Sequence, residues 1–176
     1  PGCKIIMRKK LIYIILFFIG TFIFFSQGLF TYFVQDDFFY FKLISGVKLL
    51  NLPKLLVPVA DSVWYRPLSA QYFFYFSKLL FGLNPLPYHI FIYLTHIGSS
   101  LIIYKILRNQ NQSQMTASFG ATLYGFHQIH TISLAWLSTY SFVLGPFFLI
   151  LSLYFYLMKK PISTFSFFIL AVAASE

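Results

Sequence analysis

Four acidic residues occur in this chain of 176 residues: Asp36, Asp37, Asp61 and Glu176. Two of them are adjacent. Neighbouring carboxylates disfavour each other's ionisation, and the one with the raised pKa is suited to accept a proton as a general base. The same pair offers hard oxygen ligands to a divalent cation. An Asp ahead of a helix can also simply cap free N–H groups. All three roles are open to Asp36-Asp37, which Phe38-Phe39-Tyr40 follows. A divalent cation is compatible with the pair but not required by it.

A second constellation is Trp64-Tyr65-Arg66-Pro67-Leu68-Ser69. Proline suits the first turn of a helix, so Arg66 would stand at an electropositive helix start. Exposed N–H groups and a forked guanidinium bind phosphate well. The alternative is an arginine that snorkels to lipid headgroups. His127 and His130 share a face if helical, and a His-x-x-His pair supplies two metal ligands, with no third in register. His89 and His96 are nearly eclipsed on a helix, about two turns apart. Packing or hydrogen bonding is the simpler role for His96, and a polar role near a turn fits His130.

The elements that must position these residues are apolar. Hydrophobic residues make up 59% of the chain and charged residues 10%, with 24 Phe, 13 Tyr and 2 Trp. Mean hydropathy is +0.75. Soluble domains carry about 25% charged residues, so the composition excludes a soluble enzyme, a disordered tail and a nucleic-acid reader. The single Cys3 excludes a disulfide framework. A crossing needs about 20 apolar residues. Residues 11–30, 89–107, 115–137, 138–158 and 161–176 are the expected spans, the third with some irregularity and the fifth cut short. The abrupt ends, with Met7-Arg8-Lys9-Lys10 resembling a natural start, lead us to expect the N-terminal part of a longer chain.

Charge sets the orientation. Lys4, Arg8, Lys9 and Lys10 precede the first span, Lys105 and Arg108 follow the second, and Lys159-Lys160 follows the fourth. Positive-inside asymmetry puts these groups, and the N-terminus, in the cytoplasm. Residues 31–88, the turn near His130 and Glu176 then fall on the non-cytoplasmic face. The outer segment is too apolar for a solvated loop, so residues 38–50 and 67–81 are predicted as interfacial helices. Lys42, Lys48 and Lys54 recur every six residues and so do not share a helical face. Every acidic residue thus lies on the outer side with Arg66, His127 and His130, and His89 lies close by. Ionisable groups gathered at one membrane face mark a functional site by default.

The order of these motifs resembles a known pattern. An outer-face Asp-Asp-Phe follows the first span. Then come Tyr65-Arg66-Pro67-Leu68, Leu80-Phe81-Gly82-Leu83-Asn84-Pro85, Tyr88-His89 and His96. Gly125-Phe126-His127-Gln128-Ile129-His130 precedes Ala135-Trp136-Leu137-Ser138. The chain resembles the N-terminal part of the C-type (GT-C) membrane glycosyltransferases, most of all the branch of TPR-carrying O-mannosyltransferases and their bacterial relatives. The resemblance runs from about Leu11 to Glu176 and is most specific from Tyr65 to His96. It implies an all-helical, multi-pass protein that takes a sugar from a polyprenyl-phosphate donor to an acceptor hydroxyl of a protein, lipid or glycan. The work would be done outside the bacterial cytoplasmic membrane, or on the far side of the ER membrane.

In that family an acidic residue in the first outer loop is the catalytic group, which carries onto Asp36 or Asp37. The Arg-Pro-Leu motif carries onto Arg66, Pro67 and Leu68. A His-Pro-x-His motif carries onto His127 and His130, without its proline. A Ser-Lys-Glu motif carries onto Ala174-Ser175-Glu176, without its lysine. The expected mechanism has Asp37, with Asp36 as partner or substitute, accepting the acceptor's proton. Arg66, helped by His130 or His127, would stabilise the departing phosphate, with His89 and Glu176 in support. Two other classes fit the composition: a transporter or flippase for a lipid-linked or anionic solute, and a non-catalytic assembly subunit.

Overall fold

The computed structural model describes residues 16–17, 19–58 and 65–175. The basic residues 4–10, Asp61, Trp64 and Glu176 lie outside the described residues, as does the start of the first expected span.

The described chain is helical and contains no strand among the described residues. Residues 19–24 form the end of a first helix, α1, which continues after Phe25 into the short α2 (Ser26–Leu29). An extended stretch leads to α3 (Asp36–Leu43). Predicted as one helix over 38–50, this region instead breaks at Gly46, whose φ of +82° suits a residue without Cβ. A 3-10 helix, Leu49–Leu56, follows, bent around Asn51. The 67–81 helix begins as a π-helix, Pro67–Tyr72, and becomes α4 (Phe73–Phe81).

The motif between α4 and the next helix is local backbone chemistry. Gly82, at φ +61°, reverses the chain. Asn84 caps α5 (Pro85–Asn109) by accepting the Leu86 N–H at 3.2 Å, and Pro85 takes the first turn, where no donor is needed. Helix α6 (Gln114–Gly125) is capped by Ser113, which accepts the Thr116 N–H at 3.1 Å. At 12 residues it rises about 18 Å, short of the roughly 30 Å of a hydrocarbon core. The third expected span is therefore not one helix. It stops at Gly125 and resumes as α7 (His130–Ala135) and a 3-10 turn, Leu137–Thr139. Helix α8 (Ser141–Leu157) runs without a break past Gly145-Pro146, and α9 (Pro161–Ser175) starts on its proline.

Among the described residues, two stretches are long and apolar enough to cross a membrane: Pro85–Asn109 and Leu137–Leu157, with mean hydropathy 1.6 and 1.7. Helix α9, at 15 residues, is shorter. Phe142, Leu149, Leu153, Ile162, Phe165 and Ile169 face outward on α8 and α9. Such a continuous apolar exterior is what a helix pair presents to lipid, and it points to association with a membrane.

The segment ahead of α5 is held to the longer helices by aromatic packing. Tyr88, fully buried near the start of α5, has Phe33 at 5.3 Å, Phe73 at 5.9 Å and Phe41 at 6.2 Å, all edge-on. Each such pair is worth about 0.5–1.5 kcal/mol beyond its area. The Tyr88 hydroxyl donates to the Gly82 carbonyl at 2.7 Å, so burial leaves its O–H satisfied. The many Phe residues thus close a core over what would otherwise be a loop.

Close approach fixes one glycine. A Cβ on Gly28 would lie 2.8 Å from the Tyr93 hydroxyl and 3.2 Å from the Ala135 backbone. It therefore sets the distance of α2 from both α5 and α7. Gly28→Ala should destabilise the protein by about 1–3 kcal/mol through overpacking. Thermal unfolding in detergent reads this as a lowered Tm, and an unchanged Tm would contradict it.

Candidate functional site

The two adjacent aspartates are divided by the helix they begin. Asp37, Tyr40, Phe41 and Ile44 are all buried. Their spacing of three, four and seven is that of one helical stripe, so Asp37 points inward with the aromatics. Asp36, about 100° round the helix, is exposed.

Asp37 is fully buried, and both its oxygens are used. Oδ2 accepts the Val34 N–H at 2.9 Å, which closes the turn leading into α3. Oδ1 accepts the Ser138 N–H at 2.8 Å and a short bond from the Ser138 hydroxyl. A carboxylate removed from water needs this number of donors. Burial nevertheless lifts the Asp37 carboxyl above its ordinary value of 3.8. The Ser138 and Val34 donors and the nearby His89 pull it down without cancelling that rise.

Tyr40, one turn along α3, feels the Arg66 guanidinium and both Asp36 and Asp37. Burial raises its phenol, Arg66 lowers it, and the two carboxylates raise it further. Tyr40 thus lies within electrostatic reach of the carboxylate pair and of Arg66. Arg66 is half-buried at the start of the π-helix, with its guanidinium carbon 5.6 Å from the centre of the Phe142 ring on α8. The π-helix packs against both α3 and α8, and Phe142 lies in the first turn of α8.

The histidines form two stations along α5. His89, fully buried, has Nε2 at 2.9 Å from the Thr31 carbonyl and Nδ1 at 3.2 Å from that of Leu134. It joins the segment ahead of α3 to α7, alongside the Asp37–Ser138 tie. His96 lies about 10 Å further along α5. Its Nε2 donates to the Gly125 carbonyl at 2.9 Å, which satisfies a group left free where α6 stops. The His130 ring packs on His96 at 4.5 Å and on Tyr124 at 4.7 Å. His127 is exposed, and its Nδ1 accepts the Ile129 N–H at 3.2 Å.

Asp36 and Asp37 begin one helix with His89 near Asp37, and Tyr40 on that helix lies within electrostatic reach of both and of Arg66. His130 belongs instead to the His96 station, and Glu176 lies outside the described residues. No group of three or more His, Cys, Asp or Glu suited to a metal ion occurs among the described residues. Because Asp37 is fully engaged by N–H and O–H donors, a divalent cation at the pair would have to rest on Asp36 and ligands other than Asp37. The arrangement can accept a proton at Asp36 and hold negative charge at Arg66. Sequence reasoning gave no role to Ser138 or Tyr40. The inward register of Asp37 with Tyr40, Phe41 and Ile44 was the available signal.

The raised Asp37 pKa has a signed consequence. Between 3.8 and the raised value, the unfolded chain ionises while the folded one stays protonated. Rising pH across that window therefore lowers the stability contributed by Asp37. Asp37→Asn should remove this slope from the pH dependence of Tm. It should also lower stability by about 1–3 kcal/mol, because an amide turns a donor towards Val34 or Ser138. An identical pH profile in the two proteins would refute the assignment.

No protein-family model matches the chain, and no curated protein or solved structure is detectably similar to it.

Proposed function

We propose that this chain carries the outer-face site of a multi-pass membrane glycosyltransferase that uses a polyprenyl-phosphate sugar donor. The observation that carries the reading is the division at the start of α3, where Asp37 is anchored to Ser138 and Asp36 is exposed, on a helix that packs against the π-helix that follows Arg66. One carboxylate is open, one is anchored, and Arg66 stands at the start of the neighbouring π-helix.

In this reading the N-terminus is cytoplasmic. The first helix, α5, α6 with α7, α8 and α9 make five crossings, while α3, the 3-10 helix and the π-helix with α4 line the outer interface. The acceptor hydroxyl loses its proton to the Asp36 carboxylate as its oxygen attacks the anomeric carbon. The bond from that carbon to the phosphate oxygen breaks, and its electron pair leaves on the phosphate. Arg66 holds the growing charge. Asp37 positions Asp36 by fixing α3 to Ser138. The exposed apolar residues of the outer segment, such as Phe38 and Phe39, border the isoprenoid tail. A transport reading gains nothing from α8, which continues through Gly145-Pro146 where a broken helix would be wanted.

The test is transfer from labelled polyprenyl-phosphate hexoses in membranes that hold the full chain. General-base assistance is worth about 10²–10⁴ in rate, so Asp36→Asn should lower turnover at least about 100-fold. Arg66→Gln should lower it by about 10²–10³, as for loss of one preorganised donor to a developing charge. Absent transfer by the wild type, or full turnover by Asp36→Asn, would sink the proposal.

A further inference from the structure

The turn between α8 and α9 holds a lysine in a backbone conformation that suits another residue. Lys159 has a φ of +56°, in the left-handed region that favours glycine. The chain closes α8 there as it does around a glycine. The Lys160 N–H donates to the Phe155 carbonyl at 3.0 Å, and the Lys159 N–H to the Tyr156 carbonyl at 2.9 Å. A side chain in that conformation costs stability, and strain of this kind collects at binding sites.

Lys159 and Lys160 line one end of a groove of about 680 Å³ between the two helices. Its walls include the exposed rings of Tyr156, Phe165 and Phe168. The groove reaches back to Ser152, seven residues before Lys159 and so about 10 Å along α8. Its two aliphatic hydroxyls have no proton left to donate inward. Ser152 donates to the Thr164 carbonyl at 2.8 Å, and Thr164 to the Lys160 carbonyl at 2.9 Å. Further positive charge stands near the turn: the Asn109 amide at the end of α5 donates to the Met158 sulfur at 3.4 Å, which brings Arg108 to the same end of the bundle. The acidic residues among those described, Asp36 and Asp37, begin α3, which is tied to Ser138 ahead of the opposite end of α8. Helix α8 has 17 residues and keeps the two ends about 25 Å apart.

We infer that the groove between α8 and α9 binds an anionic phospholipid of the surrounding bilayer. Its phosphate rests on Lys159 and one acyl chain lies along the apolar walls. Lys160, whose ammonium stands 6.0 Å over the Phe155 ring, lies beside the phosphate. An amphiphile with an anionic head matches both halves of the groove. A free phosphate would leave the rings uncovered, and a neutral lipid would leave the lysines without a counter-ion. The inference needs only association with a membrane and stands apart from the transferase reading.

The test is native mass spectrometry of the full chain from micelles holding equal amounts of phosphatidylglycerol and phosphatidylcholine. The wild type should retain phosphatidylglycerol in preference. Lys159→Gly relieves the backbone and removes the charge, so Tm should rise while the preference falls about fivefold. A misfolded variant could not do both. Adding Lys160→Gln should bring the loss to about 30-fold. Lys42→Gln with Lys48→Gln removes the same charge from exposed positions of the segment ahead of α5 and should leave the preference within about twofold. A wild type without preference, a preference that survives in the Lys159 and Lys160 variants, or an equal loss in the Lys42 and Lys48 variant would overturn the site. Displacement of the bound lipid by glycerol 1-phosphate, which has the head without the tail, would overturn it as well.

Discussion

A carboxylate placed inside a protein must be fully hydrogen-bonded, and at Asp37 that requirement organises everything around it. The donors come from Val34, three residues before it, and from Ser138, 101 residues beyond it. The first shapes the entry to α3, and the second fixes that helix against the turn ahead of α8. Once both are made, the rotation of α3 is set. Tyr40 and Phe41 follow Asp37 inward onto the aromatic core, and Asp36 is left facing out. His89 reinforces the same join by bridging the Thr31 and Leu134 carbonyls. The outer segment is therefore bolted as well as greased, although its composition alone suggests only a greasy surface.

The arrangement divides labour between neighbours in sequence. An exposed carboxylate can reach a substrate and exchange protons with it, but holds no fixed direction by itself. A buried one is rigid and inaccessible. Putting the two side by side at the start of one helix lets the second orient the first. The same logic applies at Arg66. Its backbone belongs to a π-helix pinned to α9 through Ser69, and its guanidinium lies over Phe142 of α8.

Helix type and the extent of the long apolar segments were legible from hydropathy, because an uninterrupted apolar run has few other stable forms in a membrane. Pro85, Pro161 and Pro67 gave helix starts for a local reason, the fixed φ and missing donor of proline. The irregularity of the third span was expected, but not its partner: His96, 29 residues away, takes the Gly125 carbonyl that the helix gives up. Nor was the split between Asp36 and Asp37 noticed, since two identical side chains invite one shared role. Only the register with Tyr40, Phe41 and Ile44 tells them apart. The packing of His130 on His96 and Tyr124 was not legible either, because it joins residues of three separate helices.

The contact between α8 and α9 bears on how the protein is assembled. The two helices are joined by a three-residue link, and Ser152 donates to the Thr164 carbonyl only 12 residues on, at 2.8 Å. Closing so short a loop costs little entropy. This hairpin can form as soon as its own residues are made. The Asp37–Ser138 tie must instead wait until 101 further residues have been synthesised after Asp37. The join between α3 and the turn ahead of α8 is thus a late product of folding, completed only when both elements are already in place.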